Sequence, residues 1–325
     1  MSDKKKKLTG WLVLEVVLIM LLLLTIQYQR YVLTAVVALK LTFVSFRYYH
    51  LRRLLESYSM FRVFKHLPDE GTFEGQTSVM SEPVRRRRGV LLIHGFSSTP
   101  RELRSLTEIL QQEGIPYYTP VLTGFGLEDV HLLSVIREQD WMRDAITAYD
   151  IFSANCDEVI VVGNSMGALL ACHIASKRRV DKLILTAPYL LAKRKHDFSK
   201  KLLIDSPFSW LLKLFNPYVK KGGRPESTTV HNPDPRFAYD VIPVRSIEAL
   251  WRLQDKIEYE QIKAGRTLIL TGKKDNTVEN DRMFNFLDSK GLNYEKIELE
   301  GSGHLVFSGP DVITGVKGIM KFIES

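Results

Sequence analysis

Apolar and polar positions change period repeatedly along this chain, and the changes predict alternating strands and helices over most of its length. Gly89-Val90-Leu91-Leu92-Ile93 is an unbroken apolar run, as expected of a strand buried on both faces of a parallel sheet. A helical pattern follows from Pro100 to Glu113, with the proline in its first turn. Ile115 to Pro120 reads as a strand, and a helix around Trp141 to Phe152 leads into a strand from Glu158 to Val162. A helical pattern then starts at Ala168, and Asp181 to Pro188 is the next strand. From Tyr189 to about Ile262 the alternation breaks into helical patches and prolines without a clean strand, and Lys200 to Phe215 is basic and apolar by turns. It resumes with a strand from Thr267 to Gly272, a helix from Glu279 to Lys290, a strand from Tyr294 to Leu299 and a helix from Ile313 to Ile323. This order predicts an α/β fold built of βαβ units, with a doubly wound, mostly parallel sheet and a helical insertion over its edge.

The N-terminal pattern differs. Leu8 to Ile26 is apolar apart from Glu15 and a few small or uncharged polar residues, long enough to span a bilayer as a helix. Lys4 to Lys7 precede it like a signal-peptide n-region, but Thr25-Ile26-Gln27-Tyr28 offers no small-x-small cleavage site, so an uncleaved anchor is expected. Glu15 lies about two turns in, near an interface where its charge is tolerated. Tyr31 to Phe46 contains Lys40 and reads as a second crossing or as an amphipathic helix on the surface. Basic residues flank both outer ends (Lys4 to Lys7, then Arg47, Arg52, Arg53, Arg62 and Lys65), with only Arg30 between. The positive-inside rule then favours a hairpin of membrane helices with the following domain in the cytoplasm. The expected division is 1–66 as anchor and 67–325 as the α/β domain, with a cap insertion at about 189–262. Leu67 to Pro83 reads as a polar lead-in with a short edge strand, and Arg85 to Arg88 as a solvated run before the first long strand.

Composition adds little to this picture. The chain has 325 residues, 45% of them hydrophobic and 25% charged, which suits one large α/β domain beyond the anchor. Two cysteines, Cys156 and Cys172, exclude a disulfide framework and have no metal-ligand spacing. The net charge of +8 gathers at Lys4 to Lys7, Arg85 to Arg88, Lys193 to Lys195 and Lys220-Lys221. No nucleic-acid motif accompanies these clusters, so an anionic membrane surface is the expected partner and nucleic acid is not.

One junction carries chemistry. The apolar strand from Val159 to Val162 runs straight into Gly163-Asn164-Ser165-Met166-Gly167, and a helix begins at once. The bare Gly-x-Ser-x-Gly pattern arises by chance in about one chain of this length in ten, and a serine before a helix can simply cap it. The order strand, tight turn, helix makes it a nucleophile elbow instead, with Gly163, Gly167 and Ala168 small where strand and helix backbones nearly touch. A serine hydroxyl needs a base, usually a histidine oriented by a carboxylate, and on a doubly wound sheet the order is nucleophile, acid, histidine. Asp275 lies just beyond the strand at Thr267, although Asp281 and Glu279 are close enough to compete. His304, in Gly301-Ser302-Gly303-His304, lies just beyond the last strand. Backbone donors for an oxyanion are expected at Met166 and at Phe96, in the loop shaped by His94-Gly95; the plainer reading of that loop is an ordinary strand-to-helix turn. His50, His66, His131, His173, His196 and His231 are expected to be ordinary surface or core residues. The chemistry needs no metal or organic cofactor.

Leu92-Ile93-His94-Gly95-Phe96, the Gly163 to Gly167 turn, Gly272-x-x-Asp275 and Gly301-Ser302-Gly303-His304 together resemble the α/β-hydrolase family, and within it bacterial carboxylesterases and monoacylglycerol lipases. The resemblance runs from about Gly89 to the C-terminus. Pro120-x-Leu122-x-Gly124-Phe125-Gly126 and Trp141 also fall where such proteins have similar pieces, with one departure: Phe125 stands where the family often has histidine between two glycines. The resemblance implies a serine hydrolase acting on acyl esters, with Ser165 as nucleophile, His304 as base and Asp275 as its orienter. The anchor and the basic, apolar cap suggest a lipid-like substrate. The same triad serves peptidases, C–C bond hydrolases and acyltransferases, and a non-catalytic scaffold is the alternative of a different class.

Overall fold

The computed structural model describes residues 2–27, 31–58, 66–67, 72–73, 76–81, 86–127, 129–191, 193–207, 209–215, 217–220, 238–239 and 241–325. Two helices, α1 (Ser2–Gln27) and α2 (Tyr31–Tyr58), come first, followed by a two-stranded ribbon of β1 (His66–Leu67) and β2 (Thr72–Phe73). The body contains β3 (Val79–Met80), β4 (Arg86–Ile93), α3 (Arg104–Gln112), β5 (Tyr117–Thr119), α4 (Glu138–Ser153), β6 (Cys156–Asn164), α5 (Met166–Lys177) and β7 (Val180–Thr186). The insertion supplies α6 (Arg194–Ile204), α7 (Ser209–Phe215), β8 (Tyr218–Lys220), β9 (Val241–Pro243) and α8 (Val244–Asp255). The chain closes with β10 (Ala264–Gly272), α9 (Asn280–Ser289), β11 (Glu295–Leu299) and α10 (Val312–Glu324).

Seven strands form one sheet in the order β11-β10-β7-β6-β4-β5-β3, parallel throughout except for β3 at the edge. Successive residues of each central strand face opposite sides, and both sides are buried. Val90, Leu92, Ile160, Val162 and Ile184 pack with Leu106 of α3 and Ile319 of α10. Leu91, Ile93, Val161, Leu183 and Leu185 pack with Ala145 of α4, Leu169 of α5 and Leu253 of α8. This is the doubly wound α/β-hydrolase arrangement, and it explains why the strands read as unbroken apolar runs. Register then sets where chemistry can happen. Ile93 pairs with Gly163, Gly163 with Leu185, Thr186 with Leu270 and Gly272 with Leu299. The loops after β4, β6, β7, β10 and β11 therefore leave the sheet together at its carboxyl edge, where open α/β sheets bind ligands.

Several expectations change. The helix expected from Pro100 begins as a 3-10 turn over Pro100–Leu103, and α3 starts only at Arg104. The arginine run is not a solvated preface: Arg86 already belongs to β4, and Arg88 is paired with Glu158 of β6 at 2.9 Å. The stretch expected to lack strands contains the antiparallel pair β8 and β9, three residues each and too short to show a period. Its last helix, α8, is a core element, with Ala249, Leu250 and Leu253 packed into the body.

The largest correction concerns the N-terminus. Among the described residues no helix is long and apolar enough to cross a membrane, so the expected membrane helices, and the cytoplasmic placement built on them, do not stand. Polar groups also interrupt both helices: Ser45 donates to Glu15 at 2.5 Å, and α2 carries Lys40 and Arg47. The two helices pack on each other, and α2 rests against α7 and β9 of the insertion. The expected boundary at residue 66 adjoins 59–65, which lie outside the described residues, as do Arg62, Lys65 and His231.

Lys182 ties the sheet to its last helix. Its side chain is buried in β7 and Nζ donates to the Ile323 carbonyl in the last turn of α10 at 2.7 Å, with Glu158 at 3.8 Å. Replacing it by methionine leaves that carbonyl without its donor and Glu158 with one fewer cation. Lys182→Met is expected to destabilise the fold by about 1–3 kcal/mol in denaturant titration while leaving the chemistry of each folded molecule intact.

Candidate active site

Residues at the end of β6 are forced into a tight reversal. Ser165 has φ 54° and ψ −112°, a conformation costly for any residue with a side chain, and it leads directly into α5. Three backbone bonds hold it there: Ser165 N–H donates to the Thr186 carbonyl at 2.9 Å, and Ala168 and Tyr189 donate to the Ser165 carbonyl at 3.1 and 3.2 Å. The turn also needs its glycines. A Cβ on Gly163 would lie 2.3 Å from the Gly167 carbonyl oxygen, and one on Gly167 would lie 2.1 Å from that of Ile93. The helix can start this close to β4 and β6 only because those positions are bare. The serine side chain is consequently thrust out beyond the sheet edge, as a nucleophile elbow requires.

The structure brings Ser165, His304 and Asp275 into one line. His304 Nε2 is 2.9 Å from Ser165 Oγ, and His304 Nδ1 is 2.7 Å from Asp275 Oδ2. The Asp275 side chain is buried, and its other oxygen accepts from the Thr277 and Val278 amides at 2.6 and 2.9 Å. Burial alone works to raise its pKa. The hydrogen bond and charge attraction from His304 and the two amides outweigh that effect and hold the carboxyl below the usual aspartate range. The two competing acids are used elsewhere: Glu279 precedes α9 and accepts from the Arg194 amide, and Asp281 lies exposed in the first turn. A Cβ on Gly272 would lie 2.2 Å from the Gly303 carbonyl oxygen, so a bare residue at the end of β10 lets the aspartate and histidine loops meet.

The loop after β4 closes the other side of the serine. The Cβ position of Gly95 is 3.2 Å from Ser165 Cβ, which puts the His94-Gly95-Phe96 stretch against the elbow. His94 is fully buried: Nδ1 lies 2.9 Å from the Gly95 carbonyl and Nε2 accepts from the Leu122 amide at 3.1 Å. Burial pushes its pKa down, against the raising effects of Glu102 and the Gly95 carbonyl, so the ring is a neutral brace with its proton on Nδ1. Phe96 packs edge-on to Phe125 and Trp141, which stack on each other 5.6 Å apart. The departure at Phe125 is thus a buried wedge under this loop, 2% exposed. Met166 opens α5, and its N–H has no partner within the helix.

Sequence reasoning missed three supporting residues. Glu102 is buried beneath the loop, accepting from Gly95 N–H and, at 3.0 Å, from Asn164 Nδ2. Thr186 donates to Asn164 Oδ1 at 2.9 Å. Tyr239, from the insertion, donates its amide to the Ser97 carbonyl at 2.9 Å and its hydroxyl to the Leu127 carbonyl at 2.7 Å. Only an acidic residue two places after Pro100 in a turn expected to be helical hinted at the first. Of the other histidines, His131 hydrogen-bonds Tyr218, His173 is buried in α5, and His50 lies edge-on to Phe46. Cys172 is a buried thiol with its pKa pushed up to about 12 by burial, and Cys156 is also free. Among the described residues no group of three or more His, Cys, Asp or Glu is placed to hold a metal ion.

The family model described as serine aminopeptidase, S33 matches residues 85–311. A thermostable monoacylglycerol lipase from Bacillus sp. (strain H-257) is 34% identical over 89 residues, 27% of this chain; the matched part spans 34% of that lipase's length. Among solved structures, one from a study of the metagenome-derived lipolytic enzymes LipS and LipT superposes with a TM-score of 0.65 at 24% identity, covering 77% of this chain and 98% of the other. A Paleococcus ferrophilus monoacylglycerol lipase gives 0.60 at 18% identity, covering 76% and 97%. At these identities the structural matches establish the fold.

Asp275→Asn is the informative substitution here. The Thr277 and Val278 amides will hold the new carbonyl oxygen, so the amide NH₂ faces His304 Nδ1 and forces the proton onto Nε2, where it cannot accept from Ser165. Any hydrolytic kcat is expected to fall on the order of 10⁴-fold. The wild-type carboxyl has a depressed folded pKa, so its stabilisation is complete above the unfolded value of about 3.9 and is lost as pH falls through the folded one. The difference in melting temperature between wild type and Asp275→Asn should therefore narrow as pH falls below about 4.

Proposed function

We propose, since the chain belongs to the serine aminopeptidase, S33 family of α/β-hydrolases, that it is a serine hydrolase of the carboxylesterase or monoacylglycerol-lipase type. Its proposed substrates are carboxylic esters carrying an acyl chain. The observation that carries this reading is the continuous hydrogen-bonded line from Ser165 Oγ through His304 to the buried Asp275.

Each step uses a group already in place. His304 Nε2 takes the Ser165 proton as Oγ attacks the ester carbonyl, and Asp275 keeps the ring's other proton on Nδ1 and stabilises the imidazolium that forms. The amides of Phe96 and Met166 receive the oxyanion of the tetrahedral intermediate, a contribution of about 3 kcal/mol per donor in hydrolases of this kind. His304 returns the proton to the leaving alcohol, leaving an acyl group on Ser165. A water activated by the same histidine then attacks, and a second tetrahedral intermediate collapses to the free acid and Ser165.

An acyl chain is the favoured substrate feature because the insertion over the sheet edge exposes large apolar side chains, with Phe198 75% and Trp210 63% exposed. The two lipases similar to this chain are consistent with that chemistry. The family's description favours a second reading, release of N-terminal amino acids from peptides. A panel of p-nitrophenyl esters of rising acyl length, set beside aminoacyl p-nitroanilides, decides between them. The expected result is a kcat/KM that changes at least about tenfold with acyl length, anilides slower still, and a loss of at least about 10⁴-fold in Ser165→Ala. Turnover surviving that substitution, or anilides cleaved faster than every ester, contradicts the proposal.

A further inference from the structure

We propose that Glu102 is a positioning residue that sets the distance and orientation between the oxyanion loop and the nucleophile. The proposal rests on the reading that Ser165 attacks an ester carbonyl. Glu102 is the third residue of the 3-10 turn Pro100–Leu103, and its side chain is buried. An apolar side chain could fill that volume, as Leu103 and Leu106 do nearby. A carboxyl group costs free energy to bury and adds one thing, an acceptor for more than one donor.

Its donors come from the two segments whose separation matters. Oε1 accepts from the Gly95 amide, one residue before Phe96, and from Asn164 Nδ2, one residue before Ser165. The connection continues, because Thr186 donates to Asn164 Oδ1 at 2.9 Å while its carbonyl accepts Ser165 N–H at 2.9 Å. Glu102, Asn164 and Thr186 thus form a polar bridge running beneath the elbow from Gly95 to the Ser165 amide.

The bridge fixes a direction as well as a distance. Glu102 holds the N–H of the His94–Gly95 peptide. The carbonyl of the next peptide, Gly95–Phe96, is held by His94 Nδ1 at 2.9 Å and Ser98 N–H at 3.3 Å. In a trans peptide the N–H points opposite to the carbonyl, so the Phe96 N–H is aimed by bonds it does not itself make. Glu102 anchors the first of these two peptides to the serine's own strand, β6, so loop and elbow move as one unit.

Wild-type chain, Glu102→Ala and Glu102→Gln are compared on the best ester, with active serines counted by fluorophosphonate titration and melting temperatures recorded. Loss of a whole oxyanion donor lowers kcat by about 10²–10³-fold, so loosening one is expected to cost Glu102→Ala about 30- to 300-fold in kcat per titrated serine, with KM within about threefold. Affinity for a trifluoromethyl ketone, which forms a tetrahedral adduct on the serine, should fall by the same factor as kcat/KM. Glu102→Gln keeps an acceptor oxygen of the same reach and should lose only about three- to tenfold, again in kcat and ketone affinity together. If Glu102→Ala does not fold, the glutamine variant decides alone. Unchanged kcat per titrated serine and unchanged ketone affinity in the folded variants, whatever the melting temperature, overturn the proposal. Absence of wild-type ester turnover sinks the ester reading itself, a separate outcome.

Discussion

Everything at the carboxyl edge of this sheet depends on holding Ser165 in a backbone conformation that residues with side chains avoid. Such a conformation costs on the order of 1–3 kcal/mol and persists only where its surroundings over-determine it. Here they do so from four directions. β7 receives the serine's amide through Thr186, α5 and Tyr189 occupy its carbonyl, β4 crowds the bare Gly167, and the loop after β4 lies against its Cβ. The in-register ends of β4, β6 and β7 make these contacts simultaneous. The same register delivers Asp275 and His304 on loops that can meet only because Gly272 is bare.

Most of this arrangement could be read from sequence because its signals are local. The apolar runs at Val90 and Val159 mark strands buried on both faces, and Gly163-Asn164-Ser165-Met166-Gly167 has meaning once a strand precedes it and a helix follows. Asp275 and His304 were visible as polar residues just past strand ends. What escaped sequence reasoning lies in contacts between distant segments. Glu102 looks like any acidic residue in a first helical turn, and its role depends on Asn164, 62 residues away. α8 reads as part of a cap because prolines and a break in the strand alternation precede it, yet its apolar face completes the core. At the N-terminus hydropathy misleads: Glu15 reads as a charge tolerated near a membrane interface, whereas it meets Ser45 in a hairpin that packs on itself and on the insertion.

The insertion is tied to the carboxyl edge of the sheet at defined points. Tyr239 spans the Ser97 carbonyl and the Leu127 backbone, joining the insertion to the loop after β4 and to the stretch that carries Phe125. Tyr189 donates its amide to the Ser165 carbonyl and is itself held by Trp251 and Gln254 of α8. The insertion is therefore joined to Ser165 and to the loop after β4 by hydrogen bonds as well as by packing.

If Ser165 is an activated nucleophile, its reactivity depends on His304. Labelling the 325-residue chain with a fluorophosphonate, mapping the adduct by mass spectrometry and measuring its rate in wild type and His304→Ala tests that dependence. The expected result is a single adduct on Ser165, formed about 10³-fold or more slower without the histidine. An unlabelled wild-type protein, an adduct on another serine, or an equal rate in His304→Ala would contradict it.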